Sequence, residues 1–298
     1  MSRKRVVAAT DLSKKGDLVV NKAIDLTKKY DSWLEVIHVV SMPLFEMFFD
    51  EQYDKRTHDD SEKVKNKLKS ISDTIKEKLH RGGEKINVEV KFGRAKDEIV
   101  HFSEAIRSDL IVIGSSGEYY PIEELVMGTT AKNIIDATEI PILIVKSDSD
   151  IESYKNITLL VDYSETSKKH IKFVSEFFAD AKLTLVSVCE LPSEFRLKYY
   201  GLEQREISSF VESEKNKYKQ EFDAFVDDCG LDSSRVEKFI EYGSISATRF
   251  LDIAKSHEAG LVSVATSRMG GLISKIVGNT AAEIIDKSDI DVLAHHIK

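Results

Sequence analysis

The residues best placed to do chemistry lie between Leu110 and Ala137. Residues 110–117 read Leu-Ile-Val-Ile-Gly-Ser-Ser-Gly, and ten residues later comes Gly128-Thr129-Thr130-Ala131-Lys132-Asn133-Ile134-Ile135. Leu110 to Ile113 is a short branched apolar run, the pattern of a strand buried on both faces. Gly114 closes it, and Gly117 follows. Ala131, Ile134 and Ile135 then recur at helical spacing, so the order is strand, glycine-rich loop, hydroxyl residues, helix start. A helix start presents unpaired N–H groups and the positive end of a dipole, and glycines let backbone approach a ligand closely. Hydroxyls at Thr129 and Thr130 can donate to phosphate oxygens. Two readings stand: an anion site, most naturally for a nucleotide phosphate, and an ordinary βα loop with a Thr N-cap. The stretch is not a P-loop, because no Gly-Lys-Ser/Thr ends it, and it lacks the third glycine of the dinucleotide fingerprint.

Other candidates for chemistry are weaker. His38 sits inside a predicted strand and reads as a packed residue, and His101 falls on a predicted helix. His58-Asp59-Asp60 resembles a metal pair but reads as the solvated first turn of a charged helix. His295-His296 occupies a predicted strand, where neighbouring side chains point to opposite faces, so joint ligation is awkward. Cys189 and Cys229 have no metal-site spacing and no neighbour that would lower a thiol pKa. No catalytic set and no metal set emerges.

The elements that must position these residues are written twice. Val6-Val7-Ala8-Ala9-Thr10-Asp11-Leu12-Ser13 matches Ile157-Thr158-Leu159-Leu160-Val161-Asp162-Tyr163-Ser164, both apolar runs closed by Asp-x-Ser. Leu34–Pro43 matches Leu183–Pro192, Phe92-Gly93 matches Tyr242-Gly243, Leu110–Ile113 matches Leu261–Val264, and Gly128–Ala131 matches Gly278–Ala281. The offset stays between 149 and 151 residues, so the two halves should share a fold.

In the first half, strands are expected at Arg5–Thr10, Trp33–Val40, Ile86–Phe92, Leu110–Ile113 and Ile140–Val145. Helices are expected at about 15–30, 60–81 and 95–108 and after Thr129. Asp148–Lys155 reads as a linker. The second half repeats the order, with a long helix over about 202–228 and a last strand at Asp291–Ile297. Alternating strands and helices imply a parallel sheet covered on both faces. In such sheets ligands bind outside the carboxyl ends of the strands, where the strand order reverses. Asp11, Val39, Val40 and Gly114 all end strands there. Asp11 also reads as an N-cap of the first helix, and a carboxylate so placed can serve both roles.

On these residues the chain resembles a tandem universal stress protein, two family domains in one polypeptide, over nearly its whole length. The nucleotide-binding branch of that family carries Gly, two residues, Gly, nine residues, then Gly-Ser/Thr. Here Gly114-x-x-Gly117 precedes Gly128-Thr129 by ten residues, one more than the pattern, with the insertion expected in Glu118–Glu123.

The resemblance implies an α/β chain of two tandem, doubly wound, open parallel sheets. Each is flavodoxin-like or Rossmann-like, with five strands in order 3-2-1-4-5, and the two are related by a pseudo-two-fold. Domain one is expected at 1–147 and domain two at 153–298. The resemblance carries Ala9 and Asp11 to the ribose and base region and Val39 to adenine through its backbone. It carries Ile113, Gly114, Ser116, Gly117, Gly128, Thr129 and Thr130 to ribose and phosphates. The second domain has a degenerate set: Asp162, Val188, Ala265, Arg268, Gly278, Asn279 and Thr280. Its spacing is the family's, but Ala265 and Arg268 replace both leading glycines. The implied ligand is ATP or AMP, with Mg2+ accompanying ATP. The implied assembly is an intramolecular pseudo-dimer through the fifth strands, open to further homodimerisation.

The resemblance implies a stress-response sensor or scaffold, expected to be read by an unidentified protein partner. Two alternatives stand beside it. One is a nucleotide-free scaffold or apolar-ligand binder using the aromatic connections Met42–Phe49 and Phe195–Leu202. The other is a slow ATPase or autokinase. Composition sets the remaining bounds. The chain has 298 residues, about two domains' worth. Its formal charge of −8 supplies no basic field for nucleic acid. No apolar run approaches the ~20 residues of a membrane span. The basic N-terminus is too short for a signal-peptide core, and two unpaired cysteines suit a reducing compartment, so the cytoplasm is expected.

Overall fold

In a computed structural model of the chain, the fold is described for residues 3–40, 66, 69–70, 72–74, 77, 86–115, 129–192, 194–266 and 272–297. At 129–130, 194–195 and 272–279 this description is of the backbone alone. The chain divides into two compact units, Met1–Asp148 and Ser149–Lys298.

The first unit contains β1 (Arg5–Thr10), α1 (Lys14–Lys29), β2 (Trp33–Val40), β3 (Asn87–Phe92), α2 (Ala95–Ala105), β4 (Leu110–Gly114), α3 (Thr129–Ile135) and β5 (Ile142–Val145). Its strands run parallel in the order β3-β2-β1-β4-β5. The inner strands are continuous branched runs because helices cover both faces, and Val6–Ala8, Leu110–Val112, Leu143 and Ile144 are fully buried. α1 supplies one cover. Ser13 caps it by accepting from Gly16 N at 3.0 Å, and Val19, Val20, Ala23, Ile24 and Leu26 form its inner stripe. Each buried Val, Ile or Leu of that stripe contributes ~1.5–3 kcal/mol against exposure.

The second unit contains β6 (Asn156–Val161), α4 (Glu165–Phe177), β7 (Lys182–Cys189), α5 (Glu194–Tyr199), α6 (Gln204–Asp228), β8 (Val236–Tyr242), α7 (Ala247–Ser256), β9 (Leu261–Thr266), α8 (Leu272–Lys287) and β10 (Asp291–His296). Its parallel order is β8-β7-β6-β9-β10, the same winding as the first unit. The duplication extends to backbone strain. Leu12 and Tyr163 share the left-handed conformation at φ 66° and 61°, as do Arg107 and Glu258 at 53° and 52°.

Three expectations need correction. The segment read as a linker, Asp148–Lys155, ends in a 3₁₀ turn, Ile151–Lys155, that belongs to the second unit's core. Tyr154 there is fully buried, and its Oη donates to Asp291 Oδ2 at 2.5 Å. Phe195–Leu202 is not an irregular connection: most of it is helix α5, with Leu197 buried and Tyr199 and Tyr200 exposed. β5 starts at Ile142 and α2 stops at Ala105, each a few residues inside the expected bounds. The long first-unit helix expected over 60–81 and the Met42–Phe49 connection fall mainly outside the described residues.

Candidate functional site

The rim formed by the carboxyl ends of β1, β2 and β4 is where the first unit's burial gives way. Along β1, Val6, Val7 and Ala8 are sealed, Ala9 is half-buried and Asp11 is exposed. On β2, Ile37 is sealed and His38, Val39 and Val40 are half-buried. β1 and β2 are in register to Thr10 and His38, and β1 meets β4 at Ala8 and Val112. β4 then runs two residues further, to Gly114, which is half-buried. The β1–β4 junction is where the strand order reverses, since β2 and β3 lie on one side of β1 and β4 and β5 on the other. Ile113, the residue before Gly114, is buried.

Asp11 is held by its own turn. Its Oδ1 accepts from Ser13 N at 3.0 Å and from Ser13 Oγ at 2.6 Å, while Ser13 Oγ caps α1. The cap is therefore Ser13, and Asp11 orients the cap. Gly16 makes the arrangement possible: a Cβ there would lie 2.5 Å from Asp11 Oδ1 and 2.6 Å from Thr10 Oγ1. Sequence reading passed over Gly16, although a glycine three residues after a Ser cap was a visible signal. His38 also bears on the rim. Its Nδ1 lies 2.8 Å from the Thr10 carbonyl, which can only accept, so Nδ1 carries a proton.

Ser116, Gly117 and Gly128 lie outside the described residues. Thr129 and Thr130 open α3, and their side chains are not described. The structure therefore brings Ala9, Asp11, Val39, Ile113 and Gly114 to one rim.

The equivalent strand ends of the second unit carry different side chains. Asp162 Oδ1 accepts from Ser164 N at 3.2 Å, Ser164 Oγ at 2.6 Å and Ser167 Oγ at 2.6 Å. Ser167 stands where the first unit has Gly16, and its hydroxyl adds a third hydrogen bond to Asp162 Oδ1. Tyr163, in place of Leu12, packs its ring 5.5 Å from Tyr218, 5.4 Å from Phe222 and 5.1 Å from Phe225, centroid to centroid. Tyr218 Oη donates to the Val188 carbonyl. Gly278, Asn279 and Thr280 lie within α8, six or more residues past its start, so the helix does not begin at Gly278 as the repeat suggested. Their N–H groups belong to the helical ladder rather than to a phosphate cradle. Arg268 lies outside the described residues. The sequence reading assigns no role to Tyr163 or Tyr218. Tyr218, Phe222 and Phe225 recur at i, i+4 and i+7, which marked them as one inward stripe.

The remaining candidates resolve as follows. His295 and His296 turn to different neighbours: His295 Nδ1 is 3.3 Å from His170 Nδ1, and His296 Nδ1 is 3.1 Å from Thr266 Oγ1. Burial raises the pKa of both thiols, Cys189 and Cys229, above the ordinary value. Among the described residues no group of three or more His, Cys, Asp or Glu is placed to hold a metal ion. No helix among them is long and apolar enough to cross a membrane.

A model of the universal stress protein family matches residues 2–146 and again 153–296. The chain belongs to the universal stress protein family. A universal stress protein of Methanocaldococcus jannaschii is 29% identical over 143 residues, which span 48% of this chain and 82% of that protein. Among solved structures, a universal stress protein from Archaeoglobus fulgidus aligns over 99% of both chains with a TM-score of 0.62 and 17% identity. A functionally unknown protein from Pseudomonas aeruginosa aligns over 99% of this chain and 93% of that one, with a TM-score of 0.64 and 15% identity. At such identities the structural likeness speaks for the fold alone. The universal stress protein fold is thus present twice in the chain, on two rims that differ in their side chains.

Proposed function

We propose that the first unit binds an adenine nucleotide, ATP or AMP, and that the chain acts as a sensor or scaffold whose state follows occupancy. The observation that carries this reading is the exposed Asp11 carboxylate at the β1–β4 junction, beside the bare backbone of Gly114. A carboxylate at that point is suited to accept from ribose hydroxyls, and a glycine without Cβ admits the sugar and phosphates. Half-exposed Ala9 and Val39 border the space for a flat base. Ser116, Gly117, Gly128, Thr129 and Thr130 complete the set on sequence grounds, with Mg2+ as the companion of bound ATP. Native mass spectrometry of the purified chain tests the reading. A bound adenylate mass in the parent chain, lost in Asp11→Ala, is expected. A parent chain that stays unliganded after incubation with ATP and AMP contradicts it.

One observation favours a second reading, a surface for a protein partner on the second unit. Tyr199 and Tyr200 are 80% and 71% exposed at the end of α5. Replacing both by Ser is expected to abolish capture of that partner without altering nucleotide binding. Unchanged capture contradicts this reading.

A further inference from the structure

At the opposite end of the second unit's sheet, the amino ends of β6, β7 and β8 border a cavity of about 440 Å³. Asn156 opens β6 and Lys182 opens β7, in register with each other. Two residues further along, Thr184 of β7 and Glu237 of β8 are register partners. Arg235, just before β8, and His257, just after α7, also line the space.

The first unit fills the matching positions with groups that satisfy one another. Arg5, Trp33, Glu35 and Asn87 stand where the second unit has Asn156, Lys182, Thr184 and Glu237. Asn87 Nδ2 donates to Glu35 Oε2 at 2.6 Å, the Arg5 guanidinium donates to the Ile106 carbonyl, and Arg3 lies over the Trp33 ring. The second unit has shorter side chains at two of these positions, Asn156 and Thr184, and an exposed cation at a third, Lys182.

The charges around the cavity sort by level. At the outer level, Lys182 makes no hydrogen bond or ion pair among the described residues. Arg235 beside it donates from Nε to the Ala181 carbonyl and from Nη2 to the Phe178 carbonyl, both at 2.9 Å. Neutral carbonyls fix a guanidinium in place without cancelling its charge. At the inner level, His257 Nδ1 is 2.8 Å from the Ile253 carbonyl, so Nδ1 carries a proton, and the ring stands edge-on to Phe239. In the neutral ring Nε2 is then an acceptor, and it lies 3.4 Å from a second acceptor, Glu237 Oε1. Two acceptors at that distance call for a shared donor. The negative end of the α7 dipole favours a positively charged one.

We propose that this cavity binds a small zwitterion of dipeptide length, with its carboxylate at Lys182 and Arg235 and its ammonium at Glu237 and His257. Two residues along a strand span ~6.6 Å, which matches the reach between the termini of a dipeptide and exceeds that of a single α-amino acid. Between the two levels, the Thr184 hydroxyl and the Asn156 side chain suit a peptide unit. Asn156 Nδ2 already donates to the Glu258 carbonyl at 3.4 Å, so its Oδ1 is the atom that would accept the peptide N–H.

Amide nuclear magnetic resonance of the full chain, titrated with glycylglycine, tests the site. Saturable shifts are expected at the amides of Thr184, Glu237 and His257. Acetylglycine lacks the ammonium and glycylglycinamide lacks the carboxylate at nearly the same length. Each is expected to bind at least about tenfold more weakly than glycylglycine. Lys182→Met and Glu237→Gln alter exposed side chains, and each should cost at least about tenfold in glycylglycine affinity, whereas Lys182→Arg should retain binding. A parent chain without saturable shifts at these amides overturns the proposal. So does equal binding of either truncated probe, or undiminished binding in Lys182→Met. If a variant does not fold, the comparison of the three probes on the parent chain decides alone.

Discussion

Asp11 and Gly16 form one unit of design: the carboxylate orders the Ser13 cap, and the missing Cβ leaves it room. Adding that Cβ pushes against a carboxylate oxygen and a threonine hydroxyl at once. Gly16→Ala is therefore expected to destabilise the first unit by ~1–3 kcal/mol and to weaken ATP binding, measured by urea unfolding and titration of the same sample. A variant of parent stability would mean that the Asp11 turn yields easily. His170 sets a second expectation. It is fully buried, with Nε2 2.8 Å from Ser263 Oγ and Nδ1 facing His295. Burial, and secondarily the charge of His295, holds its pKa well below the ordinary value. As pH falls through ~6.5 the unfolded chain takes up a proton that the folded chain refuses, so stability is full above that pH and falls below it. The loss approaches ~1.4 kcal/mol per pH unit for this one group. Urea midpoints from pH 7.5 to 5 should show the decline, and His170→Leu should flatten it. Asp11, Val39 and Gly114 were legible in the sequence because strand ends announce themselves by composition. Gly16 and Tyr218 were not, because their roles depend on what lies across a turn or on another element.

At the scale of elements, periodicity located β1, β2, α1 and α6 almost to the residue, since each has a long apolar pattern and a clear stop. It failed for Asp148–Lys155, where a polar, short segment hides one anchoring residue. Tyr154 reaches Asp291 at the start of β10, and Gly260 lets the turn sit close: a Cβ there would meet the Ser153 carbonyl at 2.2 Å. Tyr154→Phe is expected to cost the second unit ~1–3 kcal/mol, because it removes a buried hydrogen bond to a carboxylate that is itself fully buried. Gly260→Ala should be at least as damaging, since the obstacle is backbone. Denaturant unfolding of both variants checks the pair. Parent-like midpoints would return the turn to the status of a linker. α5 escaped the reading for a related reason: six residues are too few to display a helical period.

For the whole molecule, duplication was the clearest message of the sequence, because five landmarks recur at one offset. What the repeat concealed was divergence. The first rim keeps glycine and an exposed carboxylate, while the second places serine and tyrosine at the corresponding positions and packs that tyrosine on phenylalanines of α6. The single tryptophan, Trp33, lies at the start of β2, so its fluorescence reports the first unit. ATP at about 100 times its dissociation constant should stabilise the Trp33-monitored transition by ~2.7 kcal/mol. The most direct test of the account is calorimetric titration of ATP into the full chain, into Asp11→Ala and into Asp162→Asn. The account predicts one site per chain, weakened at least about tenfold in Asp11→Ala and unchanged in Asp162→Asn. Absence of binding in the parent, or binding that survives Asp11→Ala and disappears in Asp162→Asn, would contradict it.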